Sequence, residues 1–453
     1  MRYLIISASF FILLAAKVHN GFAQQLKPVI NAQLSRGEIK QVVDSLGKAM
    51  VNYYVFPEKG IKICQHLISN YKKGLYNKIT NPEELSNRLV RDIGDVVTDR
   101  HIGMRFMPDE GHDVPQPTLT DAEKQTDSLR ELRIEQQDNF KFTELKILPG
   151  NIGYLKFNAF THNIQAAKPT IAAALTFLSH SSALIIDLRH NGGGNVDMVS
   201  QLESYFFKQK TRMNSIVDRT SKDTIISYAD PEKTGGFSLE MPVYILNSKR
   251  TFSGAEDFSY GMQGSKRAVI IGDTTGGGAH PVRPFSLGNG FTVLMPFARS
   301  LSPYTHTDWE GTGVYPDVAV PAADALEKAL QVIYTKQLVA TTDAHEQSAI
   351  KWQIDKLHAR YHKMAVNSKL LAQYAGNYDN GYIELFVKDG SLFCRGKNRN
   401  NYTSELIPIT SSVFTWWDDT DLEIEFIKDE NGSYTAFKIL GPEGELRKIS
   451  KGK

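Results

Sequence analysis

The chain has 453 residues, with 52 Lys plus Arg against 50 Asp plus Glu, 41% hydrophobic residues and two cysteines. That length suits two or three domains, each able to bury a core without crosslinks. Two cysteines exclude a disulfide scaffold, near-neutral charge argues against a dedicated nucleic-acid binder, and a mean hydropathy of −0.30 excludes a polytopic membrane protein.

Met1 and Arg2 give a short positive start, and Tyr3 to Ala16 then runs almost wholly apolar. A stretch of about 14 residues falls short of the roughly 20 that a membrane-spanning helix needs. Gly21-Phe22-Ala23 sets small residues at the −3 and −1 positions, so residues 1–23 read as a signal peptide cut before Gln24. The expected location is therefore exported, periplasmic or extracellular, with the rest of the chain not integral to a membrane. No cysteine lies near the cut, which argues against a lipid anchor. Loss of Arg2 and Lys17 leaves 50 basic against 50 acidic residues, so no steering toward phosphate or lipid is implied. Cys64 sits in a helical run and Cys394 in a distant β-rich one; they read as two buried free thiols, with a long-range bridge as the alternative.

Residues 24–107 read as a small helical domain. Ser35-x-x-Glu38 is a capping box opening EIKQVVDSLGKAMVNYYV, a second helix covers Ile61–Tyr71, and a third starts at Thr80/Asn81 with Pro82 in its first turn. The domain closes on DRHIGMRF (99–106), whose last part alternates as a strand does. Residues 108–145 are polar and read as an exposed connector. Within 146–335 the period changes: Ile152–Asn158, Ala183–Arg189, Pro242–Asn247, Ala268–Gly272 and Phe291–Pro296 are short apolar runs. Helical patterns lie between them at 164–178, 195–207 and 254–264, so the expected core is a layered α/β arrangement covered on both faces. Residues 336–366 read as a helical linker. It holds His358 and His362 at i, i+4, but Ala359 stands where a zinc protease has Glu, so a solvated face is expected. From 367 to 453 short strands separated by Gly and Asn read as a small antiparallel β domain.

Two stretches of the core share a strand, a tight loop and a helix start. The first is ALIIDLRHNGGG (183–194) and the second runs from PVYILN (242–247) into TFSGAED (251–257). Ser253 at a helix start beside Gly254 would expose its Oγ among free N–H groups that, with the helix dipole, can hold an oxyanion. Three glycines in a row let backbone approach a ligand closely. Each also has a structural reading. Ser253 with Glu256 is a capping box, GGG is a tight turn and not GxGxxG, and Asp187 with Arg189 is a structural pair.

Taken together, LIIDLRHNGGG (184–194), TFSGAEDF (251–258), IIGDTTGGGAH (270–280) and WEGTGVYPDVAV (309–320) resemble the S41 serine peptidases. That family includes the C-terminal processing proteases, the tricorn core protease and the repeats of interphotoreceptor retinoid-binding protein. The resemblance implies an α/β (α+β) fold: a ClpP/crotonase-like ββα core, with a helical domain before it and a β domain after it. Processing proteases pair their Ser with a Lys 25 residues later, and here that position is Gly278; Lys266 sits before a strand, so a Ser–Lys mechanism is disfavoured. The tricorn-like branch uses His and a Glu in a stretch resembling ExxGxxPD, which Glu310-Gly-Thr-Gly-Val-Tyr-Pro-Asp317 matches. The implied site is Ser253 as nucleophile, His101 as general base and Glu310 as its partner. Gly254 and Gly193 are the implied oxyanion donors, with Gly192 as fallback, and His280 is a site-lining residue that competes for the role of base. Tricorn-like enzymes carry Ser before the His; this chain has Arg100.

The expected function is that of an exported serine peptidase cutting peptide bonds through an acyl-enzyme. It would act on a peptide or protein substrate, with no nucleic acid partner and no metal or organic cofactor. Its oligomeric state is open. The alternative on the same fold is a binding protein for apolar ligands or peptides.

Overall fold

The computed structural model describes residues 33–107, 121–221, 223–397, 402–416 and 422–452. The expected signal peptide, residues 1–23, and positions 108–120 of the expected connector lie outside the described residues. The chain divides into two compact units: one takes residues up to 98, 102–116 and 284–295, and the other holds the rest.

In the first unit α1 (Arg36–Tyr53), α2 (Pro57–Lys72) and α3 (Pro82–Gly94) precede strand β1 (Gly103–Phe106). The capping box at Ser35 is made as read: Ser35 Oγ accepts from Glu38 N–H at 3.2 Å, and Glu38 Oε2 accepts from Ser35 N–H at 2.8 Å. Asn81 caps α3 by accepting from Glu84 N–H, and Pro82 fills a first-turn position whose N–H has no intrahelical use. Val42, Leu46, Met50, Ile63, Leu67, Leu85 and Leu89 are fully buried between the three helices. β1 pairs antiparallel with residues 291–294.

The second unit begins with a correction. The polar segment expected as a connector holds α4 (Asp121–Gln137), and β2 (Phe142–Leu148) starts before residue 146. Helix α4 is built mostly of good helix formers, without internal Gly or Pro. Its few apolar residues hide the period, yet Leu132 packs on the core, and Glu135 accepts from Thr161 Oγ1 and Asn163 Nδ2.

The core follows as β3 (Ile152–Phe157), α5 (Ile164–Phe177), β4 (Ala183–Asp187), α6 (Val196–Glu203), β5 (Thr211–Asp218), β6 (Thr224–Ala229), β7 (Val243–Asn247), α7 (Gly254–Gly264) and β8 (Ala268–Gly272). β9 (Val282–Gly288) and β10 (Phe291–Pro296) follow, but residues 284–295 belong to the first unit and not to the expected 146–335 core, because Leu287, Phe291, Val293 and Met295 pack in its helical core. The second unit resumes with β11 (Ala298–Ser300), β12 (Val318–Ala319) and the helices α8 (Ala325–Ala340) and α9 (Ala344–Tyr361). The main sheet runs β12–β8–β7–β4–β3–β2, parallel throughout except for β2. Every residue of β4 and β7 is buried, because both faces are covered. Leu184, Ile186 and Ile245 face α5, α6 and α7, while Ile185, Tyr244 and Leu246 face α8. At the end of β4, Arg189 binds Asp187 through two nitrogens and reaches the Ala322 carbonyl at 2.8 Å, so that pair is structural.

After α10 (Ser368–Tyr374), β13 (Gly376–Tyr378), β14 (Ile383–Lys388), β15 (Ser391–Gly396), β16 (Tyr402–Pro408), β17 (Val413–Trp416), β18 (Glu423–Lys428), β19 (Tyr434–Gly441) and β20 (Gly444–Ser450) form an antiparallel meander. A bridge from Tyr378 to Lys451 returns its end to its beginning, giving a barrel-like sheet. Tyr374, Phe414, Phe426 and Phe437 fill it, with Tyr374 stacked on Phe426 at 3.8 Å. Both cysteines are free thiols, as read, but they are half-buried rather than buried. His362 ends α9 and contacts Glu327 at 2.8 Å. Among the described residues no helix is long and apolar enough to cross a membrane.

Where α7 meets β5, two buried carboxyls make stability depend on pH. Burial pushes Asp257, the fourth residue of α7, up to about 7 from an ordinary 3.8, against a hydrogen bond from Asn214 Nδ2 at 2.8 Å. Glu203, also buried, is raised as well, first by burial and then by the Asp257 charge. The folded state therefore keeps a proton that the unfolded chain gives up above about pH 4. Stability from Asp257 is full below that pH, falls as pH rises to about 7, and is flat beyond. Asp257→Asn keeps an acceptor for Asn214 and removes the titration. Chemical denaturation between about pH 5 and about pH 8 is expected to show a shallower decline, with a gain of up to about 4 kcal/mol at the alkaline end. Glu423, likewise pushed up to about 7 by burial, leaves a residual slope of the same sign.

Candidate active site

The loop after β7 is pinned to the end of β4. Thr251 Oγ1 donates to the Leu188 carbonyl at 2.8 Å, Ser248 Oγ donates to the Arg189 carbonyl at 2.5 Å, and Phe252 N–H donates to the Asn191 carbonyl at 3.2 Å. Ser253 then sits immediately before α7 at φ 52°, ψ −122°. A positive φ is costly for a residue with a Cβ and persists only where its surroundings enforce it. What enforces it here is Glu256. Its carboxylate is fully buried and accepts from Ser253 N–H at 2.8 Å, Gly277 N–H at 2.7 Å, Gly278 N–H at 2.8 Å and the Thr275 hydroxyl. Burial pushes that carboxyl above its ordinary range, and the four donors oppose the shift.

His101 lies in the same unit as Ser253, with its ring 4.8 Å from the ring of Phe252. Its side chain is 8% exposed, and neither ring nitrogen makes a hydrogen bond. The Ser253–His101 hydrogen bond is thus open in this structure. Asp99 Oδ1 lies 3.7 Å from His101 Nδ1 and accepts the His101 N–H at 3.0 Å. The Arg100 guanidinium covers Phe252 and donates to the Gly276 carbonyl at 3.2 Å.

Glu310 is set by the glycine loop. Ala279 N–H donates to Glu310 Oε2 at 2.7 Å, Gly311 N–H donates to the Gly277 carbonyl at 3.0 Å, and Trp309 Nε1 donates to the Gly278 carbonyl at 3.1 Å. One ligand atom each from Asp99, His101 and Glu310 falls within a 4.8 Å cluster. His280 is fully buried beside Glu310, with Nδ1 3.4 Å from Glu310 Oε2 and Nε2 3.6 Å from Asp308 Oδ2. It faces the two carboxylates.

Gly254 is the first residue of α7, so its N–H has no acceptor within the helix. Gly193 packs on the same turn: a Cβ there would stand 2.9 Å from Ser253 Cβ and 2.7 Å from Gly254 N. Its own N–H, however, is donated to Asn191 Oδ1 at 2.8 Å. The expectation that this amide stands ready for an oxyanion therefore needs correcting, because a side-chain acceptor two residues back takes it first. Gly192 N–H makes only a long contact, 3.4 Å, to the Asn158 carbonyl.

Gly278 gives a direct test of how tightly the imidazole is held. A Cβ at that position would meet Phe252 Cζ at 2.3 Å and His101 Cε1 at 2.6 Å. Gly278→Ala must displace both rings. A misplacement of about 1 Å costs on the order of a hundredfold in rate. The expected result is a loss of kcat/KM of that size on a fluorogenic peptide, with the thermal midpoint little changed.

Three contributors carry no catalytic assignment in the sequence reading. Glu256 is visible there only as a capping box, Asp99 only as a neighbour of His101, and Asn191 only as a loop residue. The signal for Glu256 is the Ser-x-x-Glu spacing itself, which reads as a helix cap.

The profile of peptidase family S41 matches residues 151–320, and that of the N-terminal domain of Peptidase_S41 in eukaryotic IRBP matches residues 28–140. The chain is similar to the carboxyl-terminal-processing peptidase 2, chloroplastic, of Arabidopsis thaliana, at 26% identity over 38% of this chain and 34% of that one. It is similar to the carboxyl-terminal-processing protease of Picosynechococcus sp. at 24% identity over 45% of this chain and 48% of that one. The chain thus spans between a third and a half of the length of these curated relatives. Among solved structures, the photosystem II D1 C-terminal processing protease matches at 22% identity over 50% of each chain, with a TM-score of 0.33.

Proposed function

We propose that this chain, which belongs to peptidase family S41, is an exported serine peptidase that hydrolyses peptide bonds in a peptide or protein substrate. The observation that carries the reading is convergence: Ser253 on its strained turn, His101 against the preceding Phe252 ring, and Glu310 beside the imidazole come from three distant stretches of sequence. In this reading His101 takes the Ser253 hydroxyl proton as Oγ attacks the substrate carbonyl carbon. The tetrahedral oxyanion is held by the Gly254 N–H. Collapse breaks the C–N bond, His101 returns the proton to the departing amine, and water then hydrolyses the acyl-enzyme by the same relay. Glu310 orients the ring, and the apolar-ligand alternative has no use for that relay.

Labelling with a fluorophosphonate, read by intact mass, tests the reading. One adduct is expected on the wild type, none on Ser253→Ala, and a much slower one on His101→Ala. A folded protein that takes no adduct would sink the peptidase reading and favour the binding protein.

A further inference from the structure

Asp99, His101 and Glu310 gather two carboxylates and one imidazole, where a serine triad needs a single carboxylate. Their ligand atoms lie within 4.8 Å of one another. The imidazole is more than nine-tenths buried and both of its nitrogens lack hydrogen bonds, so it is an unpartnered donor aimed into the cluster. We propose that these three residues bind one divalent cation of the zinc class, and that the bound cation holds the peptidase off.

The donor set selects the class. An imidazole with two carboxylates suits zinc and its neighbours, whereas magnesium and calcium favour all-oxygen sites. Three protein ligands with an open fourth position is a common zinc arrangement, with bonds of about 2.0–2.2 Å. Ligand atoms in such a tetrahedron stand about 3.4 Å apart, so modest side-chain movement closes the site. Glu310 already accepts the Ala279 N–H at 2.7 Å and is faced by His280, which in turn faces Asp308. Supporting contacts of that kind fix a ligand's direction. A cation bound at Nδ1, the nitrogen beside Asp99, would leave the other imidazole nitrogen protonated, with no lone pair to take the serine proton. This inhibitory half rests on His101 being the general base; the binding half does not.

Titrating the metal-free Ser253→Ala protein with zinc chloride by calorimetry, and with cobalt(II) by visible absorption, tests binding without peptidase activity. One equivalent per chain and an intense tetrahedral cobalt band are expected. Asp99→Asn, His101→Gln and Glu310→Gln should each weaken binding at least tenfold, with far-UV circular dichroism showing that the variants fold. No bound equivalent, or binding that none of the three changes alters, would overturn the site. In the wild type, zinc should slow fluorophosphonate labelling and a chelator should restore it, while magnesium does neither; labelling indifferent to bound zinc would overturn the inhibition. A wild type that never labels, even metal-free, would instead count against the peptidase reading, and the cobalt titration would still decide the site.

Discussion

Ser253→Ala and His101→Ala are each expected to lower kcat by roughly ten-thousandfold to a millionfold, and the double variant is expected to lose little more. The reason is that in the proposed relay nucleophile and base act as one unit. Once the hydroxyl is gone the imidazole has no proton to take, and once the imidazole is gone the hydroxyl stays protonated. Residual activity would come from the oxyanion donors and substrate binding alone. Glu310→Gln should cost less than either, because Asp99 Oδ1 still lies 3.7 Å from His101 Nδ1 and can keep the ring oriented. Steady-state kinetics on a fluorogenic peptide library would show this order. Strictly multiplicative losses in the double variant would mean that the two residues act separately, which contradicts the relay. Equal activity in all four proteins would point to a contaminating hydrolase.

The parts of the fold that are legible in the sequence are those in which local pattern and burial agree. The runs at 183–189 and 242–247 read as buried strands because their sheet is covered on both faces, and the three intervening helices carry their own period. The candidate site is read at Ser253 from a strand, a tight loop and a helix start, and at Glu310 from the resemblance of residues 310–317 to ExxGxxPD. Helix α4 is not legible, since its polar sequence buries little and its role depends on distant Thr161 and Asn163. The hairpin of β5 and β6 escapes for a related reason: much of β6 is exposed, so it lacks an apolar run. Closure of the β domain through Tyr378 and Lys451 is a long-range pairing with no local signature. The loss of the Gly193 amide to Asn191 depends on a side-chain rotamer, which no spacing encodes.

Glu256 shows the same limit most sharply, and it yields the second large effect. From sequence it is the fourth residue of a capping box; in the fold its carboxylate gathers Ser253, Thr275, Gly277 and Gly278. Those donors tie the nucleophile's turn to the loop that also positions Glu310 through Ala279. Glu256→Ala would strand three backbone N–H groups, and hydrogen bonds to a charged group are worth about 1.5–3 kcal/mol each. With partial rescue by water in the vacated space, a destabilisation of about 4 kcal/mol is expected in urea unfolding. The turn at Ser253 would also relax from its positive φ, so activity should fall by about a hundredfold or more at temperatures where the protein is still folded. Glu256→Gln separates the two contributions. It keeps the volume and one acceptor oxygen but turns an NH2 toward N–H donors, so its stability should lie between wild type and Glu256→Ala. If Glu256→Ala unfolds like the wild type, the carboxylate is not what holds the turn, and the strain at Ser253 must be enforced by the Thr251 and Phe252 contacts to the end of β4.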